Sequence, residues 1–354
     1  MDLDLNTLVG ERFSTLQLTM GINKRQNEYG LLNSMGLFDE EGIRERHVRI
    51  ETRDQTLSII PTSPTGTPAP ADDDPDARNE LPPIPTFRHA KMHTILAESL
   101  QGVRAFGSET EADPMDVEVM KRLDKIQREH RQTKEFLRWS ALKGNVYDAD
   151  GSKLLYNTYS LMGEVQKTIE WDLDNVNAVD PIQRGNDELV DYLEDNALGE
   201  TVTGVIKFCS RGYMTKMQEN AAFREAYKYF AERIETGEVN PNRESLNRPF
   251  TFKGVTYLPH RGSCTYKKKD GSTVKHTFIP DGEAIAVPLG TYECFKTWFG
   301  PAEFMETVNT IGQEIYVKPE VMKLNLGIEL HSFSHALNLV TKPRLVVKCK
   351  VKAV

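Results

Sequence analysis

Two histidines four residues apart, His331 and His335, come closest in this sequence to a metal-binding motif. On a helix that spacing stacks both imidazoles over one ion, as zinc enzymes use it. The residues around them alternate apolar and polar, which is the pattern of a strand, and four residues along a strand cover roughly 13 Å. One ion cannot bridge that gap, so both histidines are expected to be polar positions on a sheet face. Asp148-x-Asp150-Gly151 resembles the opening of a calcium loop, but such a loop takes a glutamate at its twelfth position, and position 159 is tyrosine. The Asp-Gly pair reads better as the turn of a β-hairpin. Lys267, Lys268 and Lys269 could grip a phosphate; lacking interleaved aromatics, they read as a solvated turn tip.

Motifs that define a nucleotide or hydrolase site are missing from the sequence. Neither G-x-G-x-x-G nor G-x-x-x-x-G-K-[ST] occurs, and no G-x-S-x-G elbow offers a nucleophile. Cys209, Cys264, Cys294 and Cys349 are widely spaced and read as buried thiols, not as a disulfide framework. No catalytic residue, metal or cofactor is assigned, and the chain is expected not to be an enzyme.

Charge narrows the classes further. With 44 basic against 52 acidic side chains the net charge is −8, so the chain carries no general attraction for phosphate backbones. The first residues, Met1 to Asn6, lack the positive start and apolar core of a secretory signal. No apolar run approaches the roughly 18 residues that span a bilayer. A soluble protein that stays where it is made is the expectation.

The elements that would have to position any site leave much uncovered. Residues 1–45 are glycine-punctuated and irregular, as an arm lying on something else would be. In 46–95, Val48, Ile50 and Thr52 alternate with Arg49, Glu51 and Arg53, predicting a strand, and eight prolines follow between Pro61 and Pro85. That stretch is either a disordered linker or a two-stranded excursion that could bury no face by itself. Asp113-Pro114 opens the clearest helix, with Asp113 as N-cap, predicted over 114–142 as a rod of roughly 40 Å. Val117, Met120, Leu123 and Ile126 form an early apolar stripe, and Phe136, Leu137, Trp139 and Leu142 a late one. Between them Gln127 to Glu135 holds no apolar side chain, so the middle is either solvated or laid across polar partners.

Beyond the helix the spacing predicts a hairpin at 145–157, a short helix capped by Asn186, a buried strand at 202–209 and a helix over 219–234. Strands are predicted at 250–258, 264–267 paired with 274–279, and 283–288. Near the end, Leu324, Leu326, Ile328 and Leu330 share one parity while Phe333, Leu337 and Leu339 take the other, which predicts a bulge or bend near Ser332. Leu345, Val347, Cys349 and Val351 alternate in a last strand.

Three segments then carry a resemblance. They are Ala141 to Ser152 (ALKGNVYDADGS) after the long helix, Phe278 to Thr291 (FIPDGEAIAVPLGT), and Gly327 to Lys348 (GIELHSFSHALNLVTKPRLVVK). In order and spacing the chain resembles the major capsid protein E family of tailed bacteriophages over about residues 95–354; the first 95 match by layout. The resemblance implies an α+β, Hong Kong 97-like capsid fold. Its parts would be an N-terminal arm at 1–45, an extended loop at 46–95, a peripheral domain at 96–181 around the spine helix 114–142, an axial domain at 182–315, and return strands of the peripheral domain at 316–354. It also implies a major capsid protein of the virion, assembled in the host cytoplasm into an icosahedral shell that encloses DNA without sequence-specific binding. The expected partners are copies of itself in pentamers and hexamers, a separate scaffolding protein, a decoration protein and a portal at one vertex, with no membrane. Arg49 and Arg53 on the loop strand, and His130 and Arg131 in the polar mid-helix, are the candidate inter-subunit contacts. A tail-tube or portal subunit, and an enzyme with an unrecognised site in 182–315, are the alternatives.

Overall fold

The computed structural model describes residues 14–24, 29–53, 78–80, 82–100, 114–173, 180–197, 200–221, 223–225, 228, 249–268 and 270–352. Ser14 starts the first helix, α1 (Thr15–Asn23), by accepting the Gln17 N–H on its side-chain oxygen. A second short helix, α2 (Leu31–Met35), lies between Gly30 and Gly36, both at positive φ. The strand β1 (Asp39–Gly42) follows. The chain then runs out through β2 (His47–Val48) and β3 (Glu51–Arg53) and returns through β4 (Arg78–Glu80) and β5 (Ile84–Pro85). β2 pairs antiparallel with β5, and β3 with β4, so the excursion is two-stranded at its described ends. Its proline-rich part, 61–77, lies outside the described residues. Next come β6 (Phe87–Leu96) and the single turn α3 (Ala97–Leu100).

The long helix α4 (Pro114–Lys143) is observed where the sequence predicts it; Asp113, its expected cap, lies outside the described residues. Its early stripe is rotated from the expected one. Met115, Val119, Leu123 and Ile126 are buried with Leu18, Ile22, Ile95, Ile315, Val317, Ile328 and Leu330, whereas Val117 and Met120 are exposed. Both sets satisfy helical spacing, and the 115/119/123/126 set meets the apolar side chains that the rest of the chain supplies. No helix among the described residues is long and apolar enough to cross a membrane.

After α4, β7 (Asn145–Tyr147) and β8 (Leu154–Asn157) form the expected hairpin, and α5 (Thr158–Leu161) and β9 (Thr168–Trp171) follow. Helix α6 (Pro181–Asn196) is capped by Asp180, not by Asn186, which sits buried within the helix and accepts the Tyr257 hydroxyl proton at 2.7 Å. Then come β10 (Gly204–Cys209) and α7 (Arg211–Glu219). Of the residues in the predicted 219–234 helix that follow α7, those described are 220, 221, 223–225 and 228. The strand expected over 250–258 is a hairpin of β11 (Phe250–Phe252) and β12 (Val255–Pro259), broken where Lys253 and Gly254 take positive φ. The remaining strands are β13 (Ser263–Lys267), β14 (Thr273–Thr277), β15 (Glu283–Leu289), β16 (Phe295–Phe299), β17 (Tyr316–Val321), β18 (Gly327–Val340) and β19 (Val347–Val351).

Contacts divide the chain into two units. The first comprises Met1–Arg49, Pro82–Arg138 and Phe295–Leu339; the second comprises Ile50–Leu81, Trp139–Cys294 and Val340–Val354. The first is built on a five-stranded sheet ordered β1-β16-β18-β17, with β6 also paired to β18. The second has a six-stranded sheet ordered β11-β12-β10-β15-β19-β9. The boundary expected at 315/316 is therefore not where contacts divide the chain. β16 belongs with β18, and β19 leaves the other C-terminal strands to pair with β15 and β9. Nor does β18 bulge near Ser332: its register with β6 runs unbroken from Gly327 opposite Leu96 to Ala336 opposite Phe87. The switch in apolar parity arises because every residue of β18 from Ser334 onward is buried, on both faces.

Candidate functional site

The polar middle of α4 is laid across polar partners, the second of the two alternatives its sequence offers, and those partners belong to its own chain. Gln127 donates to the Ile22 carbonyl at 2.8 Å, and the His130 Nε2 lies 3.0 Å from the Ser332 hydroxyl. The Glu135 carboxylate accepts the backbone N–H groups of Leu32 and Asn33 at 2.9 and 3.0 Å, taking up two donors that the first turn of α2 leaves open. Lys134 pairs with both Glu40 and Glu314. Arg138, 1% exposed, donates to Asn33 Oδ1 at 2.8 Å, Glu40 Oε1 at 2.7 Å and Thr297 Oγ1 at 3.0 Å, and its guanidinium lies 5.0 Å from the Phe38 ring centre. One face of the rod's polar middle is thus supplied with partners from its own chain, while Arg128 on another face is exposed. The rod holds the segment from α2 to β1 by a ladder of charged groups, each satisfied as burial demands.

Gly30 belongs to this ladder through its backbone. It sits at a φ of +106°, which disfavours any residue with a side chain, and a Cβ there would fall against the Glu135 carboxyl group. Burial raises the Glu40 pKa, but Lys134 and Arg138 outweigh it and hold the carboxyl below its ordinary value. Burial, with His89 close by, pushes His130 down to about 4. Two signals in the sequence mark the ladder: the glycine before α2, and the basic spacing Arg131, Lys134, Arg138 facing acids that come from other segments.

The four candidate contact residues are scattered. Arg49 is exposed between β2 and β3. Arg53 lies in β3, and its side chain lies outside what is described. His130 is buried against Ser332 rather than offered at the surface, and Arg131 is turned toward Glu314 at 3.6 Å. What the sequence did not flag is the apolar surface of the first unit. Leu16 and Met20 on α1, Leu96 on β6, Val117 and Met120 on α4, and Leu326 are all exposed, and Leu324 is 90% exposed. Leu324 and Leu326 read as strand interior from their parity, but the chain turns there in a 3-10 segment, Lys323–Asn325, with Leu324 at a φ of +62°.

The remaining motifs resolve as local structure. Asp150 spends its carboxylate on the Ser152 N–H and hydroxyl, closing the β7–β8 turn. His335 is buried, whereas His331 is partly exposed beside Glu329. In the second unit Trp139, His260 and Phe278 stack with ring centres 5.0 to 5.8 Å apart. Lys207 is fully buried there, its Nζ 3.6 Å from the Trp171 ring centre and 5.1 Å from that of Tyr257.

Solved structures share this fold. A prophage protein of E. coli CFT073 aligns with a TM-score of 0.58 at 14% identity, over 96% of this chain and 99% of that one. The capsid of Ralstonia phage GP4 aligns with a TM-score of 0.52 at 11% identity, over 93% of each chain. The fold is that of the Hong Kong 97-like phage capsids. Sequence relatives are more specific. The chain is 27% identical to the major capsid protein of Pseudomonas phage KPP10, over 92% of this chain and 93% of that protein. It is also 27% identical to the major capsid protein of Salmonella phage Felix O1, over 97% of each. The family described as phage major capsid protein E matches residues 14–351, and the chain belongs to it. It is a structural protein of the tailed-phage head, a component of the virion that assembles with copies of itself into a shell.

Proposed function

We propose that the shell is closed by the excursion at 47–85, which reaches onto an adjacent copy of the chain. One observation supports this above the others: β2–β5 and β3–β4 are ladders of two and three residues that, among the described residues, pair with no further strand. So short a two-stranded arm is marginal in water and gains stability from a surface to lie on. The exposed leucines and methionines of the first unit offer such a surface, because symmetric copies can cover apolar area that one copy leaves in water.

In this reading the first unit is the peripheral part and the second gathers around the five-fold and six-fold positions. Arg49 and Arg53 meet acidic side chains of a neighbour, and His130 and Arg131 act from inside, by fixing the helix that a neighbour's excursion crosses. Assembly takes place in the host cytoplasm on a separate scaffolding protein, with a decoration protein outside and a portal at one vertex. The acidic balance keeps the wall free of the DNA it encloses. Electron microscopy of the purified full-length chain tests the reading. Wild-type chain forms shells or capsomer rings, and the Arg49→Ala/Arg53→Ala variant stays folded but forms few. Normal shells from that variant remove both arginines from the interface, and a stable monomer from the wild-type chain removes the reading itself.

A further inference from the structure

We infer that Glu320, Glu329 and His331 form a binding site for a divalent transition-metal ion of the zinc type. The register of β17 and β18 sets Glu320 directly opposite Glu329, and Lys318 directly opposite His331. Residues two apart on a strand share a face, so these four side chains stand at the corners of one cross-strand patch. Two carboxylates directly opposed across an antiparallel pair repel one another, and such a pair destabilises the sheet unless a cation lies between them. Lys318 does not serve. Its Nζ bonds both oxygens of Glu306, at 3.1 and 3.3 Å, and stands 4.7 Å from the Phe304 ring centre. On the other side of β18, Glu329 faces Thr94 and His331 faces Met92, neither of which carries charge.

That leaves His331 beside the two carboxylates, where it can hydrogen-bond Glu329, as it does here at 3.2 Å, or share one ion with both. Its Nε2 lies 3.2 Å from Glu329 Oε2 and 3.5 Å from Glu320 Oε2, and the three donor atoms all fall within 4.8 Å of one another. Zinc holds imidazole nitrogen and carboxylate oxygen at about 2.0 to 2.2 Å, and the edge of a tetrahedron with such bonds is about 3.4 Å. The two observed distances bracket that edge. The pair His93–Glu129 in the same unit differs: it closes to 2.8 Å, and Lys91 completes the neutralisation of Glu129. Imidazole with two carboxylates suits zinc and its first-row neighbours, whereas calcium and magnesium select all-oxygen sites with more ligands. Glu320 is 72% exposed, so an ion has an open approach, and three protein ligands leave a coordination position for water or a further donor.

The test uses the full-length chain, stripped with chelator and titrated with zinc by calorimetry and with cobalt by visible absorption. One ion binds per chain, the cobalt spectrum is that of a four-coordinate site, and zinc raises the melting temperature. Glu320→Gln and His331→Ala each weaken binding by at least the roughly 10- to 100-fold that even an outer-shell partner is worth. Lys318→Ala, which removes no ligand, leaves the affinity unchanged. Circular dichroism confirms the fold of each variant, and Glu320→Gln, at the surface, is the arm least able to disturb it. Absence of binding by the wild-type chain overturns the inference, as does zinc affinity that survives both ligand substitutions.

Discussion

Arg138→Met is the change that most directly tests how the long helix holds the N-terminal segment. The substitution removes four hydrogen bonds, to the three acceptors Asn33, Glu40 and Thr297, from a guanidinium 1% exposed, while keeping a long apolar stem in its place. The bond to Glu40 is charge-assisted but only partly shielded, since that carboxylate is 39% exposed and keeps Lys134, so its loss counts for less than a buried pair would. Thr297 stays buried, where a group deprived of a partner costs about 1–3 kcal/mol, and half-buried Asn33 adds less. Together these give about 2–4 kcal/mol, somewhat below the loss seen when one member of a fully buried ion pair is removed. Urea unfolding of dissociated subunits would read it as a lowered midpoint at unchanged slope. Arg138→Lys recovers little, because an ammonium cannot span three acceptors at the corners of a fork. A loss below about 1 kcal/mol for Arg138→Met would refute the reasoning, because exposed ion pairs contribute that little and the helix middle would then be solvated in solution.

Two further predictions concern buried titratable groups. The His130 pKa is pushed down to about 4 in the folded chain from an ordinary 6.5, among His89, Glu129, Lys91 and His93, so the unfolded chain takes up that proton first. Stability is therefore held above about pH 6.5 and falls by about 3 kcal/mol as pH drops toward 4, and His130→Gln should flatten that acid limb in pH-dependent unfolding. Lys207 is fully buried with its pKa lowered by burial, so the fold gains stability as pH rises, and Lys207→Met should stabilise the chain by about 1–3 kcal/mol. A Lys207→Met variant that unfolds more easily would mean that the contacts with Trp171 and Tyr257 outweigh the burial of charge.

Regular elements were legible because their signals are local. Pro114 at the first turn of α4, the Asp-Gly turn at 150–151, and the alternation from Val347 to Val351 each fix an element without reference to distant chain. What failed depended on partners remote in sequence. Gln127 to Glu135 looked unsupported because its partners lie at Ile22, Leu32, Asn33, Glu40, Glu314 and Ser332. Spacing alone cannot choose between two helix faces that both carry apolar residues, so 117 and 120 fit the stripe as well as 115 and 119 do. The parity change in β18 looked like a bulge because burial of both faces erases the period on which the reading depends. The metal ligands were missed for a related reason. Spacing along the strand pairs His331 with His335, whereas its donor partners stand at 329 and across the ladder at 320.

The bare α-carbon at position 30 has a consequence for how this chain can change. A hydrogen there is what lets a carboxylate 105 positions later reach two amide protons of a short helix. Any methyl group at 30 would evict that carboxylate and loosen the whole leading segment, with no loss of apolar packing to announce it. Glycine at 30 is therefore held twice over, by its own backbone angle and by the carboxylate at 135.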